Sequence, residues 1–287
     1  MEEARAVPSS SPRPVRHTTR TNTIPYPETL LPQPDVNCLT APTAAIRTRL
    51  KDTNIEFDFL DGLYSCTPAP GIDLFYEPPY FTYWEDATAT EMRQTTNWLK
   101  AHIAQHGPYD AVLTFSQGCA LAASALLLHE AEEPHTPPPF KAAIFICGGS
   151  PLPIMESVGY EISARAWDLD QRTRDALAAQ ADSASILAQG SSRWSGGGDL
   201  LKGMSEDEVR RESGGGPVKI RIPTVHVYGA KDPRFVASLQ LSETCVAERR
   251  RVYDHGGGHE IPRFEAVSTN IVDLIRWALK EGGAMEG

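Results

Sequence analysis

No apolar run in the 287-residue chain approaches the roughly 20 residues needed to cross a bilayer, and the N-terminus lacks the apolar core of a secretory signal. These two absences make the cytosol the expected location. Basic charge is also scarce, with 27 Lys and Arg against 37 Asp and Glu and a net charge of -10. A polyanion would be repelled by the molecule as a whole, which argues against nucleic acid as a partner. Five cysteines (Cys38, Cys66, Cys119, Cys147 and Cys245) form no CxxC pair, and no HExxH or similar histidine pair occurs. Reduced, mostly buried thiols are expected, with neither a metal nor a cofactor.

What is present is ordinary globular composition, 41% hydrophobic and 22% charged, enough for one large core. Residues 1–36 are the exception. They hold seven prolines and many Ser, Thr and Arg, a composition that buries too little apolar surface to offset its ordering entropy. A flexible tail is expected there, followed by a single domain over 37–287. An organelle-targeting peptide fits less well, because the prolines break the amphipathic helix it would need.

From about Thr40 the pattern becomes regular. A short helix near Ala44 to Leu50 precedes a strand from Ile55 to Leu60, and a helix from about Thr90 to His106 precedes the apolar run Ala111 to Phe115. Further strand-like runs lie at Ala142 to Cys147, Thr224 to Tyr228 and Arg251 to Tyr253, and a last helix spans about Arg263 to Lys280. Such alternation with near-continuous apolar strands predicts an α/β fold: a mostly parallel sheet with helices on both faces. Residues 151 to 220 interrupt the rhythm with one helical stretch, about Tyr160 to Leu187, and two glycine clusters. They read as an inserted lid.

Thr114-Phe115-Ser116-Gln117-Gly118 connects an apolar strand to a stretch apolar almost all round, the context of a nucleophile elbow. Thr114 stands where the usual G-x-S-x-G pattern has its first glycine. The bland alternative for Ser116 is a helix N-cap. A serine hydroxyl needs a base and a third group to orient that base. Asp232 lies in the loop after the run ending at Tyr228, and His259 follows three glycines after the last strand. The order Ser, Asp, His is the one α/β-hydrolases use. His255 and Asp254 compete for the last two roles, but the glycines let His259 swing over the sheet.

Glu56 to Gly62, Pro70-Gly71-Ile72, Phe115 to Gly118, Gly229 to Pro233 and Gly257 to Pro262, taken in order, resemble the fungal serine hydrolase family, in particular hydrolases found with polyketide synthases. The resemblance implies an α/β-hydrolase fold, a triad of Ser116, Asp232 and His259, and an acyl ester or thioester substrate, carrier-bound polyketides included, with a polyketide synthase as a candidate partner. No membrane partner is implied. Family members begin with a strand ending in a His-Gly loop that supplies one oxyanion-hole N–H. No matching stretch is recognisable here, so the first family strand is expected to be missing, leaving Gln117 as the donor. Tyr76, Tyr80, Phe81 and Trp84 are candidates to shape the acyl pocket, with core packing as the alternative. Two other functions fit the same sequence: a catalytically impaired protein that binds an acyl carrier or synthase, and a general detoxifying carboxylesterase.

Overall fold

A computed structural model of the protein describes residues 19–24, 33–34, 41–68, 72, 76–181, 183–194, 205, 208 and 215–285. The elements run in the order β1 (Thr19–Ile24), β2 (Gln33–Pro34), α1 (Ala44–Arg49), β3 (Ile55–Phe59), β4 (Tyr64–Ser65), β5 (Tyr80–Thr82), α2 (Ala89–His106), β6 (Ala111–Phe115), α3 (Gln117–Glu132), β7 (Ala142–Ile146), α4 (Leu152–Ser157), α5 (Ala164–Gln180), α6 (Ser183–Gln189), β8 (Thr224–Tyr228), α7 (Phe235–Glu243), β9 (Arg250–Asp254) and α8 (Glu265–Glu281). Six strands form one sheet in the order β3-β1-β6-β7-β8-β9, and every pairing in it is parallel. β2, β5 and β4 make a small antiparallel sheet beside it.

Alternation along the central strands explains why helices cover both faces. Val112, Ala143 and Phe145 enter one apolar cluster, with α2, α3 and α4. Their neighbours Ala111, Leu113, Ala142, Ile144 and Ile146 enter the other, against α1 and α8. Successive strand side chains point to opposite faces, so a strand apolar at every position must be covered twice. Each fully buried Leu or Ile contributes about 1.5–3 kcal/mol of transfer free energy. α3 is buried from Gln117 through His129, which is why its sequence shows no polar face.

The expected loss of the first strand is overturned. β1 lies inside the sheet, paired from Thr19↔Ile55 to Thr23↔Phe59 on one side and from Thr21↔Ala111 to Ile24↔Thr114 on the other. The segment expected to be a tail therefore supplies a central strand, while residues 1–18 and 25–32 lie outside the described residues. The helical stretch expected from Tyr160 to Leu187 is two helices, α5 and α6. Much of the expected lid, including the glycines at 196–198 and Gly214, lies outside the described residues.

Candidate active site

β6 ends at Phe115 and α3 begins at Gln117, leaving Ser116 in the turn with φ 53° and ψ −117°. A non-glycine residue at positive φ stores about 1–3 kcal/mol and persists only where its surroundings impose it. Here the Ser116 N–H donates to the Ile146 carbonyl of β7 at 3.0 Å, and the Cys119 N–H donates to the Ser116 carbonyl at 3.0 Å. At Thr114, the position usually held by glycine, the hydroxyl donates to the Ile144 carbonyl at 3.1 Å, so this buried group is paired.

The turn after β8 carries Asp232, which is fully buried. One carboxylate oxygen accepts the Arg234 N–H at 2.7 Å, and the other lies 2.8 Å from His259 Nδ1. His259 Nε2 lies 2.9 Å from Ser116 Oγ. Ser116, His259 and Asp232 are thus joined by one line of hydrogen bonds, all three buried. With Asp232 ionised, Nδ1 carries the ring proton and Nε2 is free to accept one from the serine.

The two competing residues do other work. The Asp254 carboxylate accepts the N–H groups of Ala230 and Gly256, at 2.9 and 2.8 Å, and so ties the acid turn to the histidine loop. The same loops meet where the Lys231 N–H donates to the Gly257 carbonyl at 2.9 Å. Gly229 is required for that approach, because a Cβ there would lie 2.1 Å from the Gly257 oxygen. His255 accepts the Gly257 N–H on Nδ1 at 3.3 Å, and burial lowers its pKa.

Gln117 opens α3, so its backbone N–H has no carbonyl one turn earlier to satisfy it and is available beside Ser116. Its side chain is fully buried, with Oε1 accepting the Tyr83 N–H at 3.4 Å and Nε2 unpartnered among the described residues. The segment after β1, where a second oxyanion donor would come from, lies outside the described residues, and the sequence from 25 to 32 holds neither His nor Gly.

The aromatic loop takes largely structural positions. Trp84 packs in the core cluster with Tyr83, the Tyr80 hydroxyl donates to the Tyr76 carbonyl at 2.8 Å, and Phe81 is half-buried in β5. The rings beside His259 are instead Phe115, at 5.1 Å between centroids, and Trp194, edge-on at 6.4 Å. Trp194 presses so closely on the histidine loop that a Cβ at Gly258 would lie 1.9 Å from its Cγ. An isolated Trp beside a glycine-rich stretch carries no periodic signal, so sequence reasoning missed it. Cys147 was expected only as a buried thiol. It sits at φ 51° just past β7, its sulfur 3.6 Å from the Glu260 carbonyl, and burial together with the Asp232 charge pushes its pKa well up.

A parallel sheet with a strained serine between β6 and α3, and an acid and a histidine on the turns after β8 and β9, defines an α/β-hydrolase. The chain belongs to the family described as "Serine hydrolase (FSH1)", whose model matches residues 35–271. Similar curated proteins include esterase FPY3 of Fusarium mangiferae, 32% identical over 227 residues, covering 77% of this chain and 80% of that protein. Esterase alnB of Emericella nidulans is 28% identical over 251 residues, covering 80% and 87% respectively. Among solved structures, carboxyl esterase 2 of Tuber melanosporum is similar at a TM-score of 0.46 and 13% identity, over 96% of this chain and 80% of that one. No described helix is long and apolar enough to cross a membrane.

Proposed function

We propose that this serine hydrolase cleaves an acyl ester or thioester through an acyl-Ser116 intermediate. His259 takes the hydroxyl proton as Ser116 Oγ attacks the acyl carbonyl, and Asp232 stabilises the imidazolium that forms. The Gln117 N–H donates to the oxyanion. His259 then returns its proton to the leaving alcohol or thiol, and a water activated at the same nitrogen releases the acid. The observation that carries this reading is the buried hydrogen-bond line Ser116–His259–Asp232, at 2.9 and 2.8 Å. In a site shielded from water, Asp232 and the oxyanion donor act more strongly than they would in solvent. Each oxyanion contact contributes a factor of about a hundred to a thousand in rate.

The sequence resemblance to hydrolases found with polyketide synthases supports a polyketide acyl group as substrate. The experiment pairs fluorophosphonate labelling with turnover of p-nitrophenyl esters and N-acetylcysteamine thioesters. Labelling that disappears in Ser116→Ala, with turnover of either substrate class, is the expected result. Folded wild-type protein that takes no label would overturn the hydrolase reading in favour of a binding role. Thioester turnover at least tenfold faster than ester turnover would support the carrier-bound substrate.

A further inference from the structure

Arg234 is among the largest fully buried side chains, at 1% exposure, and it stands two residues after the catalytic acid. Its Nη1 donates to the Asp170 carboxylate at 2.9 Å, to the Asp170 carbonyl at 3.0 Å and to Thr173 Oγ1 at 2.6 Å. Both partners lie on α5, in the insertion between β7 and β8, and the other Asp170 oxygen accepts from Arg174 Nε at 2.7 Å. Meanwhile the Arg234 backbone N–H holds Asp232 Oδ1 at 2.7 Å. One residue thus grips the catalytic acid with its main chain and the inserted helix with its side chain. Around this grip, Leu169 of α5 packs with Tyr228, Phe235, Val236 and Leu239 from the end of β8 and from α7.

We propose that Arg234 and Asp170 are a positioning pair that makes alignment of Asp232 depend on docking of the inserted helix α5. This rests on the hydrolase reading above. A guanidinium buried to this degree is tolerated only while paired, because an unpaired buried charge is strongly disfavoured. When α5 lifts from the turn, Arg234 loses its Asp170 and Thr173 acceptors, and the side chain shifts with the helix or towards water. That movement rotates the main chain of residues 232–234 and withdraws the N–H that fixes Asp232. The docked insertion therefore carries an aligned triad, and the undocked insertion does not. The coupling passes through a defined hydrogen-bonded contact, not through proximity alone.

The test compares Arg234→Met, Asp170→Asn, the all-apolar pair Asp170→Leu/Arg234→Met, and Arg234→Lys. Each is assayed for kcat, KM, the pH profile of kcat/KM and fluorophosphonate labelling rate. The apolar pair keeps the fold available if a single variant leaves a buried charge unpaired. Each single variant is expected to lower kcat by about 10–100-fold with KM within threefold, since only transition-state stabilisation is lost. The double variant should be no slower than the singles. The acid limb of the profile should move to lower pH, because a misoriented Asp232 stabilises the imidazolium less. Arg234→Lys should recover part of the rate, one ammonium still reaching Asp170. Folded variants with unchanged kcat and acid limb, losing only thermal stability, would overturn the inference while wild-type labelling leaves the hydrolase reading standing. Absence of label in the wild type would overturn the hydrolase reading, and this inference with it.

Discussion

Asp232→Asn tests the geometry most sharply, because the structure decides which way the new amide must face. Asp232 Oδ1 accepts the Arg234 N–H at 2.7 Å and Oδ2 meets His259 Nδ1 at 2.8 Å. An asparagine must keep its carbonyl on the Arg234 N–H, since an NH2 there would put two donors together in a buried site. Its NH2 then faces His259 Nδ1, which can meet it only as an acceptor. The ring proton moves to Nε2, which now donates to Ser116 Oγ where it should accept. Fold and hydrogen-bond count survive, but the base is lost. A tautomer inversion of this kind costs about 10⁴ in kcat, or about 5 kcal/mol of barrier. The assay is p-nitrophenyl ester hydrolysis beside a melting curve and a fluorophosphonate labelling rate. Folded Asp232→Asn protein with kcat within tenfold of wild type would refute both the assignment of the acid and the argument that Arg234 fixes its orientation.

Two further outcomes are expected. Gly258→Ala would place a Cβ 1.9 Å from Trp194 Cγ, so the histidine loop or the indole must move. A stability loss of about 1–3 kcal/mol in denaturant melts and a fall in kcat are expected, and wild-type values in both would show that Trp194 does not pack on the loop. Burial, with a smaller contribution from the Arg250 charge, lowers the pKa of His226 to about 3. The unfolded chain therefore takes up this proton below about pH 6.5 while the folded protein does not, and stability is lost as pH falls from about 6.5 towards 3. Between pH 7 and 4.5 the group accounts for about 2–3 kcal/mol. His226→Phe should flatten the fall in unfolding free energy by that amount, and an unchanged slope would count against a neutral His226.

Much of the sheet could be read directly, because β6, β7 and β8 are short apolar runs between turn signals and being covered on both faces demands that composition. β1 escaped for the opposite reason. Thr19-Arg20-Thr21-Asn22-Thr23-Ile24 is polar and flanked by prolines, although its three threonines and isoleucine are the β-branched types that suit a strand. Its place was decided by pairing with β3 and β6, both distant in the chain, and no local window contains those partners. At the site, Ser116, Asp232 and His259 stood out because each sits in a turn after a strand, and parallel strands put all such turns at one end of the sheet. Local order proposed the three residues and, through the glycines before it, favoured His259 over His255, but it did not say what Asp254 and His255 do instead. Tertiary structure assigned them: Asp254 ties the acid turn to the histidine loop, His255 bonds to Gly257 within its own loop, and His259 faces the serine. The roles of Trp194 and of the Arg234–Asp170 pair also belong to the tertiary structure alone. Each depends on a contact between segments far apart in sequence, and a single buried Trp or Arg has no periodicity by which a sequence could announce it.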